Sequence, residues 1–196
     1  MREKVHVSEQ RMSLRADAAR NRETVLETAY RSFAAEGLTV PIDEIARRAG
    51  VGAGTVYRHF PTKNALIAAV IGHRLAQIEA AGRDMLAKDS GHALTSFVRA
   101  IVLEWGAVDQ AISQAIAGEG ILIDASDFET RFMVLLAELL DAAKTAGSVR
   151  ADLTDREAKA VIVACQAVQS HVPDVAERVT EIVLDGIRPQ DELVRP

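Results

Sequence analysis

The sequence predicts an all-α protein of about nine helices: a three-helix N-terminal unit followed by a larger helical unit. Three observations carry this. Apolar residues recur at three- and four-residue spacing along most of the chain, and no stretch sustains the period-two alternation of a half-buried strand. Aromatic residues make up only 4% of the 196 residues, whereas alanine is frequent. That composition suits helices packed closely through small side chains better than a β-sandwich, which draws on β-branched and aromatic residues. The apolar share, 48%, is enough to bury a large core.

The elements follow in order. Residues 1–14 lack periodicity and read as a flexible arm. From Ala16 to Glu36, Leu26, Ala29, Tyr30 and Phe33 fall on one helical face, and Gly37 stands where a C′ glycine closes a helix. Pro41 suits the first turn of the next helix, where a missing N–H costs nothing; that helix runs to Ala49 and buries Ile42, Ile45 and Ala49. Gly50-Val51-Gly52 is a tight turn before a short helix, Ala53–His59. Pro61 ends it, and Thr62 is the N-cap of a long helix reaching Ala87. Further helices are expected at His92–Val108, Gln110–Ala117, Ser126–Ala146, 154–171 and 174–187, with breaks at KDSGHA, GEGILID, TAGSVRADLT and Pro173. The domain division expected is residues 15–61 and 62–196.

The totals exclude several classes. A single cysteine, Cys165, rules out an internal disulfide framework and fits a reducing compartment. It reads as a small packed hydrophobe rather than a redox sensor. No apolar run approaches the roughly 20 residues that span a bilayer, and MREKVHVSEQRMSLR has no apolar h-region, so a cytoplasmic location is expected. The five histidines are scattered without metal-ligand spacing. No nucleotide loop, nucleophile–base constellation or paired-carboxylate signature is present, so neither a metal, a cofactor nor an enzyme is expected. The net charge of −5 is unevenly spread: residues 1–63 carry eleven Lys or Arg against eight Asp or Glu, and residues 64–196 twelve against twenty. Either a basic N-terminal function or ordinary surface variation accounts for this.

Two short helices joined by a glycine-containing turn form a helix-turn-helix. Phe33, Ile45, Val51, Val56 and Phe60 supply its small core. The second helix of such a unit can enter the major groove of duplex DNA. Gly54 allows close approach of the backbone, Thr55 and Tyr57 bring hydroxyls to phosphate oxygens, Arg58 and His59 add donors, and Lys63 adds charge at the next helix start. The alternative is that Tyr57 and Phe60 are core aromatics and the polar residues are merely solvated.

R-x-x-V-L-x-x-A at 22–29, FAAEG at 33–37, Ile45-Ala46 and AGVGAGTVYRHFPTKNAL at 49–66 resemble the TetR/AcrR family of one-component bacterial repressors. RADAARNR at 15–22 resembles the opening of many actinobacterial members. The likeness covers residues 15–66; beyond them only helix number and length agree. It implies DNA contacts at Gly54, Thr55, Tyr57, His59 and Lys63. Two departures from the family pattern stand out. Val40 and Pro41 lack the hydroxyl common near the start of the second helix, for which Thr39 is the substitute. Gly52 and Ala53 replace polar residues, and Ala53 can offer only apolar contact, as to a thymine methyl.

The resemblance further implies a dimer that binds a palindromic operator and is released by a small-molecule inducer. The last two helices carry apolar faces suited to a partner subunit, with Val161, Ile162, Cys165, Val168, Val179, Ile182 and Val183 as interface candidates. Candidate ligand contacts on the middle helices are Met85, Phe97, Glu104, Trp105, Phe128, Phe132 and Met133. Most of these serve equally well as plain core. A helix-turn-helix module without a ligand, or a helical enzyme, are the competing readings.

Overall fold

A computed structural model describes residues 2–106, 109 and 126–189, with side chains for 17–106, 109 and 129–189. Among the described residues every regular element is helical: α1 (Arg2–Glu36), α2 (Ile42–Arg48), α3 (Ala53–His59), α4 (Lys63–Lys88), α5 (Ala93–Arg99), α6 (Ser126–Thr145), α7 (Asp155–His171) and α8 (Pro173–Gly186). The helix expected at Gln110–Ala117 lies outside the described residues. The chain divides into two compact units, and the division falls inside α4, between His73 and Arg74, rather than at residues 61/62.

The arm expected at 1–14 is instead the first part of α1, which is continuous from Arg2. The segment contains no glycine or proline to interrupt a helix, and Glu, Lys, Gln, Arg, Met and Leu are all good helix formers. Lack of an apolar face removes the sequence signal without removing the propensity.

In unit one, α1, α2 and α3 pack together around Leu26, Ala29, Phe33, Ile45 and Val56, each no more than 1% exposed. Phe60, Leu66, Ile67 and Val70 are also buried. Gly50 adopts φ +69°, a left-handed conformation that costs an L-residue a steric penalty and glycine almost none. With Gly50 so placed, its N–H donates to the Arg47 carbonyl at 3.2 Å and the Val51 N–H to the Ala46 carbonyl at 3.0 Å, the two bonds of a Schellman cap. Thr62 accepts at Oγ1 from the Ala65 N–H at 3.1 Å, capping α4 as expected.

Arg48 ties α2 to α1. Its guanidinium pairs with Glu36 and Glu44 and donates to Ser32 Oγ at 3.2 Å. Arg47 makes a two-bond contact with the same Glu44, at 2.8 and 2.7 Å.

In unit two, α7 packs against α6, α8 and the turn that follows α5. The core contains Leu94, Phe97, Val102, Leu135, Leu136, Leu139, Leu140, Ile162, Cys165 and Leu184, all at most 2% exposed. The helix expected to run from His92 to Val108 changes character at Ala100. Residues Ala100–Glu104 form a π-helical turn, closed by the Trp105 N–H donating to the Ala100 carbonyl at 2.9 Å. α7 starts with a full capping box: Thr154 and Glu157 each accept from the other's backbone N–H, at 3.3 and 2.8 Å. α4 presses on this core at Gly82, where a Cβ would sit 2.8 Å from Leu135 Cδ2 and 3.1 Å from Phe97 Cε2.

Hydrogen bonds from Arg47 and Arg48 hold the Glu44 carboxyl down at about 2, against 4.5 unperturbed. A depressed folded-state pKa contributes stability above the unfolded value that is lost as pH falls through the folded one. Unit one should therefore loosen between about pH 4.5 and 2 through this group. Thermal melts of Glu44→Gln should show a smaller loss on acidification than the wild type; equal losses would exclude the contribution.

Candidate nucleic-acid interface

α3 begins after the Gly50 turn with Gly52 as N-cap, and the Phe60 N–H closes its last turn on the Val56 carbonyl. Val56 and Phe60 anchor it, 1% and 3% exposed. The remaining face is open: Gly54, Tyr57, Arg58 and His59 are exposed, and Ala53, Thr55 and Lys63 half-buried. Tyr57, at 43% exposed, is therefore not a core aromatic, whereas Phe60 is. Thr39 is exposed in the turn between α1 and α2, and neighbouring Val40 is buried.

The charge of this surface follows from pairing. From Arg20 to Lys63, Arg20, Arg31, Arg47 and Arg48 each pair with a carboxylate. Arg22 lies 5.5 Å over the Phe60 ring, a cation–π contact. Arg58 and Lys63 have no carboxylate partner among the described residues. No acidic residue occurs from Ile45 to Ile78, so the stretch of sequence that holds α3 and the start of α4 supplies no carboxylate of its own. Gly54 has a negative φ, and a Cβ there would meet nothing within 4 Å. Neither backbone conformation nor packing within the chain demands glycine at this position.

The candidate ligand residues gather in unit two but in unequal settings. Phe97 is fully buried and tilted against Phe132, ring centroids 6.2 Å apart. Met85, Trp105, Phe132 and Met133 are partly buried against the same core. Glu104 is exposed, so it stands apart from that group. The side chain of Phe128 lies outside those described. Trp105 is engaged by Arg74, whose guanidinium lies 5.0 Å over the ring and holds the Asp109 carboxylate through two hydrogen bonds, 2.9 and 3.2 Å. Sequence reasoning did not find this cluster, because nothing in the chain links residues 35 positions apart.

The interface candidates divide in two. Ile162 and Cys165 are 2% and 1% exposed within their own chain, so they have no surface to offer a partner. With Ala158 they form the inward face of α7 at helical spacing. Burial pushes the Cys165 thiol up, consistent with a packed hydrophobe. Val161, Val168, Val179 and Val183 are half-buried, and Ile182 is 55% exposed. The outward face of α7 is a stripe the sequence reading passed over: Ala160, Val163, Ala164 and Ala167, all exposed.

A small three-helix core, a Schellman-capped turn and a second helix whose arginine has no carboxylate partner among the described residues define a helix-turn-helix protein. Residues 25–70 match the profile of bacterial regulatory proteins of the tetR family, and residues 89–189 that of the SbtR-like transcriptional regulator C-terminal domain. A TetR transcription regulatory protein from Mycobacterium vanbaalenii is similar in structure, with TM-score 0.78 and 48% identity over 90% of this chain and 99% of that one. A TetR transcriptional regulator from Streptomyces coelicolor gives 0.76 and 31%, over 87% and 99%. HTH-type transcriptional regulators of Staphylococcus aureus are 41% identical over 59 residues, 30% of this chain and 32% of theirs, so that likeness is confined to part of each chain. The chain belongs to the TetR family of transcriptional regulators, a family with a helix-turn-helix DNA-binding domain and not one of enzymes. No helix among the described residues is long and apolar enough to cross a membrane.

Gly54→Ala should raise stability by about 0.4–1 kcal/mol, because alanine narrows the unfolded ensemble and meets no clash. Thermal melts check this; a loss of stability would show that the fold itself requires the glycine.

Proposed function

We propose that this protein is a ligand-responsive repressor that binds a palindromic operator as a homodimer and is released by a small-molecule inducer. The observation that carries the DNA reading is the α3 surface: Arg58 and Lys63 without a carboxylate partner among the described residues, Tyr57 exposed, and a glycine at position 54 that neither a positive φ nor a described neighbour requires. On this reading Thr39, Gly54, Thr55, Tyr57, Arg58, His59 and Lys63 approach the phosphates and groove, and Ala53 meets a base edge by apolar contact.

Lys63→Ala should weaken binding to all sequences alike and lower the magnitude of the slope of log K against log salt by about one. Gel-shift titration at several salt concentrations measures it, and an unchanged slope removes Lys63 from the interface. In the same assay Gly54→Ala should bind less tightly despite its greater stability.

Support for the dimer is the pair of apolar faces that the chain leaves uncovered. Ala160, Val163, Ala164 and Ala167 line one side of α7. Val175, Val179 and Ile182 follow helical spacing on α8, and Val163, Val172, Val175 and Ile182 are 41–55% exposed. Two adjacent helices with such faces suit a four-helix bundle made with a second copy. Val163→Glu and Ile182→Glu leave the chain's own core untouched but place a charge against an apolar partner. Analytical ultracentrifugation should show folded monomers; two folded variants that remain dimeric would move the interface elsewhere.

The release step follows from the helix that the two units share. α4 runs unbroken from Thr62, which caps it, to Lys88. A ligand in the core of unit two that prefers one setting of α4 shifts DNA affinity by no more than its preference between the two settings.

A further inference from the structure

Two side-chain atoms among the described residues are buried without a hydrogen-bond partner, Thr180 Oγ1 and Glu79 Oε1. The second is the more costly, since an unsatisfied group on a charged side chain loses more than a hydroxyl does. Glu79 belongs to the apolar side of α4, between Leu75 and Ile78 before it and Gly82, Met85 and Leu86 after it. Its other oxygen, Oε2, accepts from Arg131 Nη2 of α6 at 2.7 Å. The carboxylate is thus held in place and its charge is offset, while one acceptor faces the protein with no donor supplied.

The surroundings locate that acceptor. Glu79 meets Arg131, Gly82 meets Leu135, and Arg83 meets Glu138, so α4 and α6 run side by side in the same direction. At Gly82 the contact leaves no room for a single added carbon. One turn earlier on α6 stand Arg131, which holds Glu79, and next to it in the chain Phe132, only partly buried. Phe132 in turn lies against Phe97. A buried acceptor without a donor, on the helix that packs against the core holding the Phe97–Phe132 aromatic pair, suits a mostly apolar ligand site with one orienting polar group.

We propose that Glu79 Oε1 orients the inducer, and that the inducer is a largely apolar, uncharged molecule carrying one hydrogen-bond donor, such as a hydroxyl or amide N–H. This rests on the ligand-responsive reading above and specifies its chemistry. A cation is disfavoured because Arg131 already offsets the carboxylate, so the desolvation of a second cation would go unreturned. An acceptor-only ligand leaves Oε1 unpaired.

The test uses the full chain and two probes of similar size, phenol (one O–H donor) and anisole (acceptor only). Dissociation constants come from NMR titration of wild type and Glu79→Gln. The variant keeps a carbonyl for Arg131 and turns an amide N–H₂ toward the former Oε1 position. Wild type should favour phenol by about tenfold, the worth of a hydrogen bond to a charged acceptor. Glu79→Gln should bring that ratio to one or below. An unchanged ratio, equal affinities in the wild type, or no binding of either probe overturns the proposal. A second variant, Glu79→Met, should melt at or above the wild-type temperature, because it removes the orphan acceptor; a clearly lower melting temperature marks Glu79 as structural and also overturns it. Repeating the phenol titration on protein saturated with DNA selected by its own binding separates the parent reading. If phenol selectivity responds to Glu79 but DNA leaves phenol affinity unchanged, the site stands and ligand control of DNA binding fails. If DNA weakens binding while selectivity ignores Glu79, the reverse holds.

Discussion

The left-handed Gly50 is the constraint on which the helix-turn-helix and the exposed face of α3 depend. Two backbone hydrogen bonds close the end of α2 only when this residue adopts φ +69°. The chain then re-enters α3 at a fixed angle, with Val56 and Phe60 inward and Thr55, Tyr57 and Arg58 outward. Arg48 secures the other end of the arrangement through Glu36, Glu44 and Ser32. A unit with so small a core gains little from burial alone, so α3 is positioned by a turn and an ion-pair network as much as by apolar packing.

Those same ion pairs shape the electrostatics. The carboxylates of α1 and α2 engage Arg20, Arg31, Arg47 and Arg48 locally, and among the described residues the arginine and lysine without a carboxylate partner stand where α3 ends and α4 begins. An acidic protein with a net charge of −5 can thus present a basic surface of a few residues. Phosphate attraction acts through the local field, which at physiological salt extends only about 8 Å.

Unit two combines fully and partly buried side chains around one core. α4 is pressed against Leu135 and Phe97 at Gly82, while Phe132, Met133 and Trp105 remain partly open. Bidentate pairs brace its periphery: Arg74 with Asp109, and Arg99 with Glu181 at 2.6 and 2.8 Å. Arg99 holds the Glu181 carboxyl below its usual range and thereby ties the start of the π turn to α8, the helix that carries the exposed Ile182.

Much of the local structure was legible in the residues. Gly37, Gly50, Thr62 and Pro173 punctuate helices for reasons that belong to single residues: a missing Cβ, a side-chain acceptor, a missing N–H. The spacing of AGVGAGTVYRHF likewise pointed to the helix-turn-helix, because its turn contacts are local, whereas the exposure of Tyr57 beside a buried Phe60 was decided only by packing. α1 before Ala16 escaped because a helix without an apolar stripe has no periodic signature. The π turn at Ala100 escaped because its hydrogen bonds shift by one residue without altering the apolar pattern. Which face of α7 turns inward was decided by tertiary packing alone: Ala158-Ile162-Cys165 and Ala160-Val163-Ala164-Ala167 are both apolar at helical spacing, and only the positions of α6 and the π turn choose between them. The pairings of Arg74 with Asp109 and Glu79 with Arg131 were equally invisible, since a contact across 35 or 52 residues depends on how whole helices are placed and not on any residue's own preference.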